Sequence, residues 1–175
     1  RYSTDKLWKV PHFEKMLYDN AQLISLYSEA YQATKNELYK DIVYQSLNFI
    51  SSEMLDKTNA FYSAYDADSE GVEGKYYVWT KEELKDILKD LYPYFETTYN
   101  VNKYGFWEHE NYVLIRNKPY TEVAKQHEIS TEELMDILSG CKKKLLKARS
   151  KRVKPGLDDK SLTSWNALMV TGYVD

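Results

Sequence analysis

The sequence predicts a mainly α-helical chain carrying a small β-hairpin insertion. Three observations lead there. Apolar stripes recur at helical spacing over residues 12–34 and 37–55, two capping boxes announce further helices, and two aromatic β-prone segments flank a glycine-bearing loop.

The first helix is expected from His12 to about Thr34. One stripe runs Phe13, Leu17, Ala21, Ile24, Tyr27 and Tyr31, and a neighbouring one runs Met16, Leu23, Leu26 and Ala30. Apolar groups over more than half the circumference call for packing on more than one side. Pro11 suits the first helical position, where its missing N–H has no partner to lose. His12 then falls in the first turn. There the unpaired N–H groups and the helix dipole disfavour a second proton on the imidazole, leaving it able to give or take one. His12, Lys15 and Asp19, at i, i+3 and i+7, would share a face with Glu14 and Tyr18 beside it. By residue type alone this constellation fits a polar helix end with a satisfied histidine better than a catalytic group.

Residues 37–55 repeat the pattern with Leu38, Ile42 and Phe49 and with Tyr39, Val43, Leu47, Ile50 and Met54, so the first two helices can pair as an antiparallel hairpin. Thr80-Lys81-Glu82-Glu83 and Ser130-Thr131-Glu132-Glu133 are capping boxes for helices reaching about Lys89 and Ser150. Phe61–Asp66 and Lys75–Trp79 are expected to pair across the loop 68–74, and residues 111–116 read as a further short strand. A last apolar helix follows Pro155, with Thr163 or Ser164 as its expected cap.

Composition excludes several function classes. At 175 residues and 43% hydrophobic content the chain suits one domain, and 24 basic against 27 acidic residues give no whole-chain attraction to nucleic acid. Small molecules or proteins are the expected partners. The lone Cys141 makes no internal disulfide, and no apolar run is long enough to span a bilayer, so a reducing, cytoplasmic setting without membrane contact is expected. The stretch Lys142–Lys154 spreads its basic residues around a helix without aromatic interleaving and reads as a solvated face. The chain begins abruptly at Arg1 and ends inside an apolar pattern at Asp175, as an excised piece would.

Two further segments concentrate chemistry. Asp66-Ala67-Asp68-Ser69-Glu70-Gly71 opens like a calcium loop, but Tyr77 stands where the bidentate glutamate is needed, so no metal is expected. Its carboxylates suit either a self-bonded turn or acid and base roles in glycosyl chemistry. Asp158, Asp159 and Lys160 precede the last helix, again at a helix entrance.

WKVPHFEKMLYDNAQL, FYSAYDADSEGVEGKYYVWT and DDKSLTSWNALM, in this order, resemble the second domain of the thioredoxin-domain-containing family that includes bacterial YyaL and the spermatogenesis-associated thioredoxin-like protein of animals. The resemblance runs from Arg1 to the C-terminus. It implies an N-terminal thioredoxin-like domain joined to an (α/α)6 toroid similar to six-hairpin glycosidases and N-acylglucosamine 2-epimerase, with residues 1–175 as the first part of that toroid. Related toroids bind saccharides in an axial funnel. The matching positions here are Trp8, His12, Glu14, Lys15, Tyr18 and Asp19, then Tyr62, Asp66, Asp68, Ser69 and Trp79, then Asp158, Asp159, Lys160, Trp165 and Asn166.

The resemblance implies a carbohydrate-directed, glycosidase-like or epimerase-like site in the full-length protein, without a cofactor. His12, Asp66, Asp68, Asp158 and Asp159 are its acid/base candidates, and the remaining matched residues contact substrate. One pocket would bring His12 near at least one of those carboxylates. The alternative is a non-catalytic module that binds a sugar or a protein and couples to the thioredoxin-like domain. This chain has no such domain or cysteine motif, so thiol redox chemistry is not implied for it. Part of a toroid is further expected to leave apolar side chains such as Leu23, Leu26 and Met169 exposed, to self-associate, and to lack activity alone.

Overall fold

The structure is a computed structural model and describes residues 2–175. In chain order it contains β1 (Lys15–Met16), α1 (Leu17–Thr34), α2 (Glu37–Phe49), a π-helical turn (Ile50–Met54), β2 (Ala64–Tyr65), β3 (Asp68–Ser69), β4 (Val72–Glu73) and β5 (Trp79–Thr80). There follow α3 (Lys81–Leu88), a 3-10 turn (Lys89–Leu91), α4 (Tyr92–Tyr99), β6 (Asn111–Tyr112), α5 (Tyr120–Gln126), α6 (Thr131–Arg149), β7 (Leu157–Asp158) and α7 (Thr163–Val174). The fold is mainly α with a small hairpin. The chain divides into two compact units, one of residues 13–68 with 155–175 and one of residues 2–12 with 69–154.

In the first unit the opening helix starts later than its apolar pattern suggests. Lys15 and Met16 pair antiparallel with Tyr65 and Ala64, and Leu17 donates its N–H to Ser63 O at 2.9 Å. Pairing with a strand satisfies the backbone of residues 15–16, so α1 begins at Leu17 and not beside Pro11. Its buried stripe is Leu17, Ala21, Ile24 and Ser28, one residue per turn. Lys35 closes the helix in the left-handed conformation, donating to Tyr31 O, and Asn36 caps α2 by accepting from Leu38 N–H.

Leu17, Ile24, Ile50, Met54 and Met169 are at most 1% exposed and form the centre of this unit's core. Burial of each contributes about 1.5–3 kcal/mol. Gly172 lets α7 lie against α1, since a Cβ there would stand 3.0 Å from Ala21 O. Of the three side chains expected to be exposed, Leu23 and Leu26 are, at 40% and 57%, but Met169 is fully buried among the core residues. Leu162, with no side-chain bond, occupies the cap position of α7, and Thr163 already lies inside the helix.

The hairpin also differs from expectation. Residues 61–66 do not pair with 75–79: β2 lies between β1 and β7, while β5 pairs with β6. The turn itself is tighter, with β3 and β4 joined through Glu70 and Gly71. Both take positive φ, 54° and 75°, as primed two-residue turns require. A register set within so short a turn leaves the flanking segments to pair elsewhere.

The second unit is built on two N-caps, the one at Thr80 a reciprocal capping box. Thr80 accepts from Glu83 N–H while Glu83 accepts from Thr80 N–H, and Ser130 accepts from Glu133 N–H. α6 buries Leu134, Leu138, Cys141 and Leu145 on one stripe and leaves Lys143, Lys144 and Lys147 exposed. These residues join Trp79, Leu84, Leu88, Phe95, Val101 and Val123 in the core. α4 and α5, short and weakly patterned, were not signalled by periodicity. Burial pushes the Cys141 thiol up despite Lys144 nearby, which suits a packing residue and not a nucleophile.

Arg152 departs from the solvated-face reading of the basic stretch. Its guanidinium lies 3.9 Å over the Trp79 ring, donates to the carbonyls of Lys75, Tyr76 and Val78, and meets Glu83 at 3.0 Å. Five fixed donors allow one arginine to hold a strandless segment in place.

Candidate functional site

The first unit gathers parts of all three sequence motifs on one small sheet. Lys15 pairs with Tyr65, Met16 with Ala64, Ala64 with Asp158 and Tyr65 with Leu157. Asp66 donates its N–H to Gly156 O at 2.8 Å, and Tyr62 donates its own to Met54 O. Tyr18 meets Trp165 edge-on, with ring centroids 4.8 Å apart.

Most polar groups here hold the fold. Asn166 accepts from Phe61 N–H at 2.8 Å and donates to Phe61 O at 3.0 Å and Leu162 O at 3.1 Å, so its amide behaves as an extra strand rung. Ser63 donates to Asp158 O through both its N–H and its hydroxyl. Lys15 Nζ donates to Phe13 O at 2.6 Å. The Asp158 carboxylate sits 3.1 Å from Lys160 Nζ, which holds it below the usual carboxylate range, with a lesser contribution from Ser63. Asp66 Oδ1 accepts from Asp68 N–H at 3.3 Å, the self-bonded turn that its residue types favour. Asp68 and Asp159 are exposed, while Glu14 and Asp19 are partly buried.

His12, Lys15 and Asp19 do not share a helical face. His12 precedes α1 by five residues, Lys15 lies in β1, and only Tyr18 and Asp19 are helical. The dipole argument for His12 therefore falls with the helix start. The second unit supplies a different environment. Residues 2–12 form a braced loop in which Ser3 and Pro11 bridge, Thr4 N–H donates to Val10 O, and His12 N–H donates to Tyr2 O. The Asp5 carboxylate accepts from the N–H groups of Leu7, Lys9 and Val10 at 2.6–3.0 Å. Those bonds, Val10 foremost, lower its pKa. Trp8 at the tip has φ 56° and is 81% exposed.

His12 stacks on Tyr2 at 4.9 Å and places Nδ1 2.9 Å from Glu73 Oε1. Glu73 in turn lines a cleft of about 650 Å³ together with Thr4, Lys75, Trp107, His109 and Asn111. An adjoining cleft of about 500 Å³ shares Lys75, Val78 and Asn111. The matched residues Ser69 and Trp79 also lie in this unit, but both are buried: Ser69 donates to Val153 O at 2.6 Å, and Trp79 lies beneath Arg152. His12 is thus in one unit and Asp66, Asp68, Asp158 and Asp159 in the other.

Sequence reading missed Glu73 as a partner of His12, and it missed the loop of Trp107, Glu108 and His109. The one available signal was Glu73 standing next to Gly74 beyond a tight turn. Among the described residues no three His, Cys, Asp or Glu side chains are placed to hold a metal ion. Among them, too, no helix is long and apolar enough to cross a membrane.

No family model matches the chain. It is 36% identical to the human protein named spermatogenesis-associated protein 20 and 34% to the mouse one, in each case over 99% of this chain and 25% of the relative. An uncharacterized Caenorhabditis elegans protein is 37% identical over 99% of this chain and 27% of its own length. The chain thus spans about a quarter of the length of the curated relatives it matches. With its three motifs inside that match, the chain belongs to the spermatogenesis-associated protein 20 family.

Proposed function

We propose that this chain supplies part of a carbohydrate-directed site of the full-length protein, built on a helical toroid, with His12 and Glu73 as an acid/base pair. The carrying observation is the 2.9 Å contact between His12 Nδ1 and a carboxylate that lines a cleft large enough for a sugar ring. A proton on Nδ1 shared with the Glu73 carboxylate satisfies this contact and orients the imidazole as a general base. Nε2 then takes a proton from a substrate carbon beside a carbonyl, or from a hydroxyl. Glu73 stabilises the imidazolium that forms.

A histidine–carboxylate pair serves epimerase-like proton transfer at a carbon and glycosidase-like proton transfer at an oxygen alike. Of the two carboxyls a glycosidase uses, one acts ionised, and Lys160 beside Asp158 favours that form.

The test uses the full-length protein in D2O with N-acetylglucosamine and N-acetylmannosamine. Deuterium should enter the sugar, with loss in His12→Gln and a fall of about 10–100-fold in Glu73→Gln. Exchange undiminished in His12→Gln would refute the assignment. The second reading is a non-catalytic module for a sugar or protein, coupled to the thioredoxin-like domain of the same full-length chain. The braced, exposed tip at Leu7 and Trp8 favours it. Sugar binding without exchange is its signature.

A further inference from the structure

The cleft's wall opposite sequence expectation is the hairpin of residues 105–113. Phe106 and Tyr112 bridge, Val113 N–H donates to Gly105 O, Trp107 N–H donates to Asn111 O, and Asn111 N–H donates to Glu108 O. Its outer base is fixed because Asn111 and Tyr112 pair with Thr80 and Trp79. Gly105 is pressed so close to Asn100 O that a Cβ would stand 2.3 Å away. The central turn residues, His109 and Glu110, take φ 51° and 63°. Two consecutive left-handed positions ordinarily go to Asn-Gly, since a side chain with a Cβ is disfavoured there. A rigid frame therefore imposes this turn on residues that resist it, and backbone outliers held in this way are a reason to look for function.

What the turn delivers to the cleft is chemically specific. Trp107, Glu108, His109 and Asn111 all line it, with Glu73 and Lys75 among the remaining lining residues. An indole face suits the C–H face of a pyranose, and carboxylate and amide groups suit its hydroxyls. We infer that the turn Trp107–Asn111 is the sugar-selecting wall of the cleft, with Trp107 stacking on the ring and Glu108 accepting from ring hydroxyls. This rests on the carbohydrate reading above but assigns binding, not proton transfer, to these residues.

The experiment titrates the full-length protein with D-glucose, D-mannose and N-acetylglucosamine, followed by saturation-transfer NMR and calorimetry. Trp107→Ala should weaken binding by about tenfold, with Trp107→Phe intermediate. Glu108→Gln, at an exposed position where folding is undisturbed, should change the order of preference among the three sugars. The variant Glu110→Gly, at the turn's second left-handed position and outside the cleft lining, should raise Tm. Wild-type affinities in both Trp107→Ala and Glu108→Gln would overturn this inference while leaving the His12 pair intact. No saturable binding of any of the three sugars to the wild-type protein would overturn the carbohydrate reading, and this inference with it.

Discussion

Two groups of polar side chains, one in each unit, are used in opposite ways. In the first, Ser63, Asn166, Lys15 and Asp158 are tied to the backbone or to each other around the sheet of β1, β2 and β7. In the second, Glu73, Lys75, Glu108 and His109 stand around open volume. The lesson concerns inference from motifs. A run dense in Asp, Ser, Asn and Trp reads equally well as a site or as a set of structural ties, and only the bonding of each atom separates them. Asn166 and Glu73 both come from chemistry-rich segments, yet one amide is saturated by backbone and one carboxylate borders a cleft.

The sharpest way to break this comparison is at the frame of the second unit. Gly105→Ala drives a Cβ into Asn100 O, a backbone atom that has little room to retreat. We expect a loss of roughly 3 kcal/mol or more, read by urea unfolding, together with loss of the cleft. A wild-type midpoint would mean that the hairpin is not held as described.

Next is the structural role of Asn166. Asn166→Ala leaves both the N–H and the O of Phe61 without their amide partner. An expected cost of about 2–3 kcal/mol follows, measurable by thermal unfolding. If stability held while sugar binding vanished, Asn166 would be a ligand residue after all. Thr80→Ala should cost less, about 1 kcal/mol, because it removes one half of a capping box. By contrast Glu108→Ala, which lines the cleft and is exposed, should change stability by no more than about 0.5 kcal/mol. A large loss there would erase the distinction between lining and frame.

Much of the fold was legible, and the reasons for the gaps are local. The first stripe of α1, through Leu17, Ala21 and Ile24, and the caps at Thr80 and Ser130 are short-range signals, and each appears where the sequence puts it. The start of α1 was misread because Lys15 and Met16 join a strand from a distant segment, which no helical period reveals. For the same reason residues 61–66 found partners other than residues 75–79. Of the candidate site, His12 was legible as a titratable residue in a chemistry-rich segment, but its partner lies 61 positions away. The turn at His109 carries no turn-forming residues, so only its φ values announce it.

The smallest expected effect is electrostatic and tests whether the loop at Trp8 is held by a charge. Asp5 is partly buried, and its pKa lies below the ordinary 3.8 because the N–H groups of Val10, Leu7 and Lys9 donate to the ionised carboxylate. The sign follows from linkage. A carboxyl whose folded pKa is lowered contributes stability that is present above the unfolded value and is lost as pH falls through the folded one. The loop should therefore be intact near neutral pH and loosen only in acid, below about pH 3.8. Amide resonances of Leu7, Lys9 and Val10 should shift together with one midpoint beneath that value, and the Trp8 indole signal should follow. Asp5→Asn should flatten the titration and leave Trp8 more mobile at every pH. Independent midpoints for the three amides, or an unchanged Trp8 signal in Asp5→Asn, would mean that the bridge between Ser3 and Pro11 alone holds the tip, and that Trp8 keeps its left-handed backbone without the carboxylate.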